Sequence, residues 1–161
     1  MRKGYHHKKT DAAGNIWYFD QNGKFHREDG PALIKNNGAE EWWRHGCLHR
    51  EDGPAVTTDV MCRWYREGKL HREDGPAIEL ADGTKEWYRE GKLHREDGPA
   101  IEDADGTRRW YLDGKRHRAD GPAVEYQGGR GGEHYLMGKM FVEEDFRKII
   151  DSVTLCVMTS R

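Results

Sequence analysis

A seven-residue motif, H-R-x-D-G-P-A, occurs five times in this chain of 161 residues. The motif contains all five prolines of the chain, and its histidines follow one another at intervals of 23, 22, 23 and 23 residues. A fixed period in this range is typical of a repeat array, in which each unit packs against its neighbours. The motif histidines are His26, His49, His71, His94 and His117.

Turn chemistry between the motifs predicts β-hairpins. An aromatic pair followed by a glycine precedes each of the last four motifs, and Asp-Gly or Asn-Gly pairs recur between the prolines. Asp-Gly and Asn-Gly favour two-residue hairpin turns, so each repeat is expected to contribute about two strands. The predicted turns lie at Asn37-Gly38, Asp82-Gly83, Glu90-Gly91, Asp105-Gly106 and Asp113-Gly114.

These turns fix the expected partners across each hairpin. A turn at Asp82-Gly83 places Ile78 opposite Trp87, and a turn at Glu90-Gly91 places Trp87 opposite His94. The same reasoning predicts the pairs Leu33 with Trp42, Ile101 with Trp110, Trp110 with His117, Asp103 with Arg108 and Glu102 with Arg109.

Three places depart from the pattern. Asn22-Gly23 predicts that Phe19 pairs with His26 and takes the tryptophan position of the first unit. The 22-residue unit has no Asp-Gly, and we expect a longer loop near residues 59–61. In the last unit His134 takes the tryptophan position and Phe141 the histidine position, since terminal repeats are often atypical.

The D-G-P segment is expected to form a corner, because glycine permits positive φ and proline removes a hydrogen-bond donor. Residues 142–151 read as a short amphipathic helix, with Phe146, Ile149, Ile150 and Val153 on one stripe. Its expected role is to cover the last open strand edge.

The predicted fold class is therefore all-β: an elongated, single-sheet antiparallel β-hairpin repeat array with a short C-terminal capping helix. Residues 1–13 are a basic N-terminal tail or first edge strand, residues 14–141 are the repeat domain with five to six repeats, and residues 142–161 are the cap helix and tail.

Composition limits the function classes. Hydrophobic and charged residues each make up 35% of the chain, so a deep buried enzyme pocket is not expected. A net charge of -2 gives no global attraction to nucleic acid or anionic lipid. Cys47, Cys62 and Cys156 are too few and scattered for a disulfide framework, and no membrane span is present, which favours a cytoplasmic protein.

The repeats resemble the MORN type. The aromatic residue, the Gly-Lys pairs, the histidine and the late Asp-Gly match that pattern over residues 15–141, whereas R-x-D-G-P-A replaces the usual segment after the histidine. This variant is similar to tandem H-R-E-D-G-P-A proteins of bacteriophages and large DNA viruses. The resemblance implies a MORN-like solenoid that acts as a binding or scaffolding module; the family's lipid association is not carried over, because no matching basic surface is identified.

Two surfaces are candidate binding sites. The first is a loop ridge, made of Arg27, Arg50, Arg72, Arg95 and Arg118 with Glu51, Glu73 and Glu96. Acidic residues follow each arginine and offset its charge, so salt bridges between neighbouring loops are favoured over phosphate binding. The second is an aromatic face, made of Trp43, Tyr65, Tyr88 and Tyr111.

Other motif residues are predicted to be structural. The motif histidines are expected to pack beside tryptophan and to bond an aspartate or the backbone of their own loop. Histidines about 10 Å apart cannot share one metal ion, so no metal site is predicted. The tryptophans of this structural set are Trp42, Trp64, Trp87 and Trp110.

The predicted function is non-catalytic protein binding without a cofactor, with a viral inhibitor of a host defence protein as the specific hypothesis. The alternative is a binder of nucleic acid or of a small anion through the arginines and histidines of the ridge. An enzyme using His/Asp acid–base chemistry is the third class, and no catalytic residue is assigned because such a pair would occur five times.

Overall fold

The computed structural model of the chain describes residues 6–159, with side chains as far as residue 153. Within it the chain divides into two compact units, residues 1–92 and 93–161. Both units are antiparallel β structures, and the single α-helix lies at the C-terminus. The predicted all-β fold with one C-terminal helix is confirmed.

The first unit is a sheet flanked by small hairpins. Eight of its strands pair in the order β1-β2-β3-β4-β7-β8-β11-β12, while β5 with β6 and β9 with β10 form separate two-stranded hairpins. The last strand, β14, contains the boundary between the units. The strands are β1 (His7–Thr10), β2 (Ile16–Phe19), β3 (Leu33–Ile34), β4 (Glu40–Glu41), β5 (Trp43–Arg44), β6 (Cys47–Leu48), β7 (Val56–Thr57), β8 (Met61–Arg63), β9 (Tyr65–Arg66), β10 (Lys69–Leu70), β11 (Ile78–Leu80), β12 (Lys85–Glu86), β13 (Tyr88–Arg89) and β14 (Lys92–Leu93).

The second unit repeats this plan. Strands β15, β16, β19, β20 and β21 pair in that order, and β17 with β18 form a separate hairpin. The elements are β15 (Ile101–Glu102), β16 (Arg108–Arg109), β17 (Tyr111–Leu112), β18 (Lys115–Arg116), β19 (Val124–Glu125), a 3-10 turn (Gln127–Gly129), β20 (Gly132–Leu136), β21 (Lys139–Phe141) and α1 (Glu143–Thr159).

Helix α1 is longer than the expected 142–151 segment and ends at Thr159. Phe146 is its buried anchor and lies against His134 of β20, with ring centroids 4.6 Å apart. Ile149 and Ile150 are half-buried, and Val153 is exposed. Only the first part of the predicted apolar stripe is therefore covered.

Two-residue turns close the small hairpins, as predicted for Glu90-Gly91 and Asp113-Gly114. The first turn residue is a non-glycine with φ near 50°, and a glycine with positive φ follows it, which is the geometry of a type I′ turn. His117 N donates to Trp110 O, so the predicted pairing of Trp110 with His117 is confirmed. The five turns are His45-Gly46, Glu67-Gly68, Glu90-Gly91, Asp113-Gly114 and Met137-Gly138.

The turns inside the main sheet differ from the prediction by one residue. Leu80 N donates to Thr84 O and Gly83 N to Leu80 O, so the loop has three residues and ends at a glycine with positive φ. The extra residue shifts each predicted pair by one position. The structure pairs Leu33 with Glu41, Ile78 with Glu86, Ile101 with Arg109 and Glu102 with Arg108.

The shift changes the contacts of the neighbouring residues. Asp103 flanks the loop and bonds Thr107 through its backbone, so it does not pair with Arg108. Its carboxylate contacts the Arg109 guanidinium at 2.6 Å. The first repeat has the same kind of three-residue loop. Phe19 therefore pairs with Phe25, and Tyr18 takes the position that tryptophan has in the later repeats. His26 N accordingly donates to Tyr18 O.

The 22-residue repeat is one residue shorter than the 23-residue repeats because its main-sheet loop has two residues where theirs have three. Thr58 N donates to Met61 O at 2.9 Å, which leaves only Asp59 and Val60 in the loop. Thr58 Oγ1 accepts the backbone N–H groups of Val60 and Met61 and so supports this turn. The expected longer loop near residues 59–61 is wrong. In the last unit His134 pairs with Phe141, as predicted.

In each repeat the motif alanine is fully buried. Each of these alanines has no exposed surface, whereas Trp42, Trp64, Trp87 and Trp110 are only half-buried. A methyl group fits where the loop returns against the sheet, and a larger side chain would overpack this position. The alanines are Ala32, Ala55, Ala77, Ala100 and Ala123.

Candidate functional site

The loop ridge is built around arginines that lie inside their own loops. The Arg50 guanidinium lies 3.9 Å from the centroid of the Trp42 ring, and Arg118 lies 4.0 Å from that of Trp110. Arg27 makes the same contact with Tyr18 at 4.3 Å. Stacking on an aromatic face holds the planar guanidinium in one orientation.

The motif glycine closes the other side of the guanidinium. A Cβ atom at Gly53 would lie 2.9 Å from Arg50 Cζ, and one at Gly30 would lie 2.7 Å from Arg27 Cζ. The motif glycines do not have positive φ, so the conformational reason expected from the sequence is wrong. Glycine is required because the guanidinium packs against its Cα atom.

Each motif arginine also bonds within its own repeat. Arg72 Nε donates to Asp74 Oδ1 at 2.9 Å, and its Nη1 donates to Pro76 O and to Glu79 Oε1. Arg95 makes the equivalent bonds to Asp97, Pro99 and Glu102. We expected salt bridges between neighbouring loops. The hydrogen bonds and ion pairs of Arg72 and Arg95 instead join residues of the same repeat.

In this arrangement the positively charged guanidinium groups are shielded and the negatively charged carboxylates of the motif are exposed. The side chains of Arg50 and Arg72 are 23% exposed, whereas Asp52 is 81% and Glu73 is 71% exposed. The Nε and Nη1 atoms of Arg50 and Arg72 are bonded within the repeat, and the carboxylates stand at the loop tips. The ridge therefore presents carboxylates at its tips, with Arg44 and Arg66 beside Glu51 and Glu73. The same holds for Glu51 and Glu96, which are 74% and 72% exposed.

Hydrogen bonds from arginine keep these carboxylates ionised. The Arg50 guanidinium holds the pKa of Asp52 below its ordinary value, and Arg72 does the same for the pKa of Asp74. The pKa of Glu51 is lowered chiefly by a hydrogen bond from Arg44. The tips are therefore anionic at neutral pH.

An open groove of about 960 Å³ separates the second and third loops. Its walls are the residues from Arg50 to Pro54 and from His71 to Asp74, and Trp64 lines it between them. Arg44 and Arg66 border the groove and pair with Glu51 and Glu73. The groove is wide enough to admit side chains of a partner.

The motif histidines connect successive repeats. The Nδ1 atom of each motif histidine accepts the backbone N–H of the first turn residue of the next hairpin, at 3.2 Å in all five cases. The glycine of that turn donates to the carbonyl group of the residue before the histidine, as Gly68 does to Leu48. The expected contact with the histidine's own loop is present at Nε2, where its partner is the loop glutamate (Glu51 for His49 and Glu96 for His94) and not the aspartate, and the bond to the next repeat is additional.

The aromatic face is half-buried, and the polar groups of Trp43, Tyr88 and Tyr111 have partners. Trp43 Nε1 donates to Glu41, the Tyr88 hydroxyl donates to Glu86, and the Tyr111 hydroxyl accepts from Arg116. Tyr65 has the same half-buried position. These aromatic side chains are half-buried, whereas the carboxylates of the loop tips, such as those of Asp52 and Glu73, are exposed.

Sequence reasoning named the ridge residues but missed their orientation and the role of the turn residues. The pairing of arginine with an aromatic residue eight positions earlier, or nine in the first repeat, is the signal that could have shown that the guanidinium lies inward. Among the described residues, no group of three or more His, Cys, Asp or Glu side chains is placed to hold a metal ion.

Within the described part of the chain, no helix has the length and apolar character needed to cross a bilayer. Cys47 and Cys62 are free thiols, and the side chain of Cys156 lies outside the described residues. Residues 7–10 form strand β1 at the edge of the first unit, and residues 1–5 lie outside the described residues. No protein-family model matches the chain, and no curated protein matches it significantly.

Proposed function

We propose that this protein is a non-catalytic binding module that holds a protein partner along its loop ridge, and that the contacting surface of the partner is basic. The observation that carries the proposal is the inverted exposure of the motif: carboxylates at the loop tips and guanidinium groups packed inward. A partner approaching the ridge meets carboxylates first.

Charge complementarity gives this surface its selectivity. Each H-R-E-D loop has two exposed carboxylates and one shielded guanidinium. Arg44 and Arg66 pair with Glu51 and Glu73, so the selectivity comes from the carboxylates standing at the loop tips and not from a net negative charge. The first unit contains three such loops, at residues 26–32, 49–55 and 71–77, which favours a partner with several lysines or arginines over one with a single cation. Each exposed pair is individually weak, and the affinity comes from their number.

The alternative ligand, nucleic acid or a small anion, fits this ridge less well. Phosphate binding needs free Arg or Lys donors. Arg50 donates to Asp52 and Pro54, and Arg72 donates to Asp74, Pro76 and Glu79. A phosphate would first have to pass the exposed carboxylates and then break these bonds.

We further propose, from the resemblance of its repeats, that the protein is MORN-like and of viral origin and that it acts in the host cytoplasm by occupying a host defence protein. The free thiols of Cys47 and Cys62 suit a reducing compartment. No reaction is assigned to the protein.

The test measures, by titration calorimetry, the binding of two probes to the intact protein. The probes are a lysine-rich peptide and a single-stranded oligodeoxynucleotide. The ridge variant Glu51→Lys/Glu73→Lys is compared with Glu144→Lys/Asp145→Lys, which makes the same change in charge on exposed positions of α1. We expect peptide binding that weakens with salt, is lost in the ridge variant and is retained in the helix variant. Binding of the oligodeoxynucleotide alone, or equal losses in both variants, would overturn the proposal.

A further inference from the structure

Five joints between hairpins place a backbone N–H against a histidine Nδ1, and at His26, His49 and His117 no carboxylate of the described residues contacts that nitrogen. A joint here means a motif histidine together with the turn residue 18 to 20 positions later that donates its backbone N–H to Nδ1. A nitrogen that accepts a hydrogen bond carries no proton, so the neutral imidazole has its proton on Nε2. The joints are His26/His45, His49/Glu67, His71/Glu90, His94/Asp113 and His117/Met137.

Protonation would replace this hydrogen bond with a clash of donors. An imidazolium carries protons on both nitrogens, so Nδ1–H would face the backbone N–H at 3.2 Å. The side chains of His49, His71 and His94 are only 9 to 10% exposed, so water replaces the lost acceptor poorly. The two hairpins of that joint must then separate or find another acceptor.

Two of the joints contain that acceptor. The Glu90 carboxylate lies 3.0 Å from His71 Nδ1, and the Asp113 carboxylate lies 3.1 Å from His94 Nδ1. A protonated Nδ1 can donate to either carboxylate without leaving its position.

The first joint has a second histidine in place of the carboxylate. The His45 ring stacks on His26 with centroids 4.0 Å apart, and His45 Nδ1 contacts Asp20. Glu28 lies 3.9 Å from His26 Nε2, on the side away from the joint. Burial lowers the pKa of His26, and the charges of His45 and Arg44 lower that pKa further, against the opposing effects of Glu28 and Asp20.

The fifth joint has no carboxylate at the turn. The donor to His117 Nδ1 is the backbone of Met137, whose side chain has no acceptor suited to an imidazolium. The charged groups on the packed strands are Lys115 and Arg116 on β18, Lys139 on β21 and Glu133 on β20. Glu133 is already bonded to Arg116, Tyr126 and Tyr135.

The second joint lies between these cases. Glu67 occupies its turn, and Arg44 and Glu51 lie near His49 Nε2 at 3.3 and 3.5 Å. Like the joints at Glu90 and Asp113, this joint has an acidic residue in its turn. The Glu67 carboxylate, however, does not contact His49 Nδ1 as those carboxylates contact theirs.

We infer that mild acid opens the first and fifth joints, His26/His45 and His117/Met137, while the joints at Glu90 and Asp113 stay closed. The chain thus contains a pH-sensitive device whose response at each joint is set by one residue of the hairpin turn. This inference is independent of the proposed binding function.

The test is amide hydrogen exchange, resolved by NMR and expressed as protection factors, at about pH 7.5 and about pH 5. We expect protection of the His45 and Met137 amides to fall by about tenfold or more at the lower pH, and protection of the Glu90 and Asp113 amides to change by less than about twofold. Equal losses at all four amides, or no loss at His45 and Met137, would overturn the inference.

Reciprocal exchange of the turn residues provides the matched control. Met137→Glu introduces the carboxylate at an exposed position and should remove the acid sensitivity of the fifth joint. Glu90→Met should make the third joint acid-sensitive. His117→Asn supplies an amide oxygen that does not titrate and should make Met137 protection independent of pH. Unchanged pH profiles in the two exchange variants would contradict the proposed role of the turn residue.

Discussion

The guanidinium of Arg72 lies 4.2 Å from the centroid of the Trp64 ring, and Gly75 packs on its opposite side. This relationship explains why arginine, glycine and an aromatic residue recur together in the repeat. The arginine holds the loop to the sheet, and its occupied donors leave Glu73 and Asp74 facing outward. A motif that reads as a charged surface loop is therefore organised around a partly buried cation.

The close packing of glycine on arginine predicts graded effects of Gly→Ala substitution. A Cβ atom would lie 2.7 Å from Arg27 Cζ at Gly30 but 3.3 Å from Arg118 Cζ at Gly121. Gly30→Ala should therefore lower the free energy of unfolding by about 1–3 kcal/mol, and Gly121→Ala should have a smaller effect. Urea denaturation measures both values. Equal effects at the two positions would argue against packing as the reason for glycine.

The stacked guanidinium should not be replaceable by an ammonium group. Arg72→Lys loses the planar stack on Trp64 and the fork of hydrogen bonds, so it should cost about 1–3 kcal/mol of unfolding free energy. Arg66→Lys, at a side chain that is 59% exposed, is the control and should change stability by less than about 0.5 kcal/mol. Thermal or urea unfolding of both variants decides the matter, and a neutral Arg72→Lys would refute the structural role.

The repeat architecture could be predicted from the sequence because it depends on local chemistry. The motif period, the type I′ turns at Glu90-Gly91 and Asp113-Gly114 and the C-terminal helix all follow from residues close together in the chain. The register could not be settled in the same way. Asp82-Gly83 is compatible with a two-residue or a three-residue loop, and the choice depends on how the strands pair with the rest of the sheet.

The candidate site was only partly predictable for a related reason. The sequence identifies Arg50, Glu51 and Asp52 as surface candidates, but it does not show which of the two charges points inward. That depends on Trp42 and Gly53 meeting the guanidinium from opposite sides. The bond from His49 to the next hairpin joins residues 18 positions apart in two repeats, so it exists only once those repeats are packed.

The motif alanine should tolerate no enlargement. Ala77 is fully buried, and its backbone bonds both Trp64 and Glu86. Ala77→Val should therefore lower the free energy of unfolding by about 1–3 kcal/mol through overpacking. Ala13→Val, at an exposed loop position, is the matched control and should be close to neutral. A neutral Ala77→Val would mean that the position has room the structure does not reveal.

Acid should weaken the first repeat through Asp20. A hydrogen bond from His45 is the main cause that lowers the pKa of Asp20 to about 2, and its carboxylate also accepts the N–H groups of Asn22 and Lys24. Because the folded-state pKa lies below the unfolded value of about 3.9, the stabilisation is complete above that value and disappears as the pH falls toward about 2. The stability difference between the wild type and Asp20→Asn should shrink across this range, as measured by urea unfolding at successive pH values. A difference that stays constant with pH would exclude Asp20 as its source.

The most direct test of the account is an NMR titration of the intact, ¹⁵N-labelled protein with a lysine-rich peptide. Backbone amides of the loop tips, from Glu51 to Gly53 and from Glu73 to Gly75, should shift on binding, and those of Trp43, Tyr65 and Tyr111 on the aromatic face should not. The shifts should be absent in Glu51→Lys/Glu73→Lys. Shifts confined to the aromatic face, or loop shifts that persist in the charge-reversed variant, would contradict the claim that the protein binds its partner through exposed carboxylates held up by inward-packed arginines.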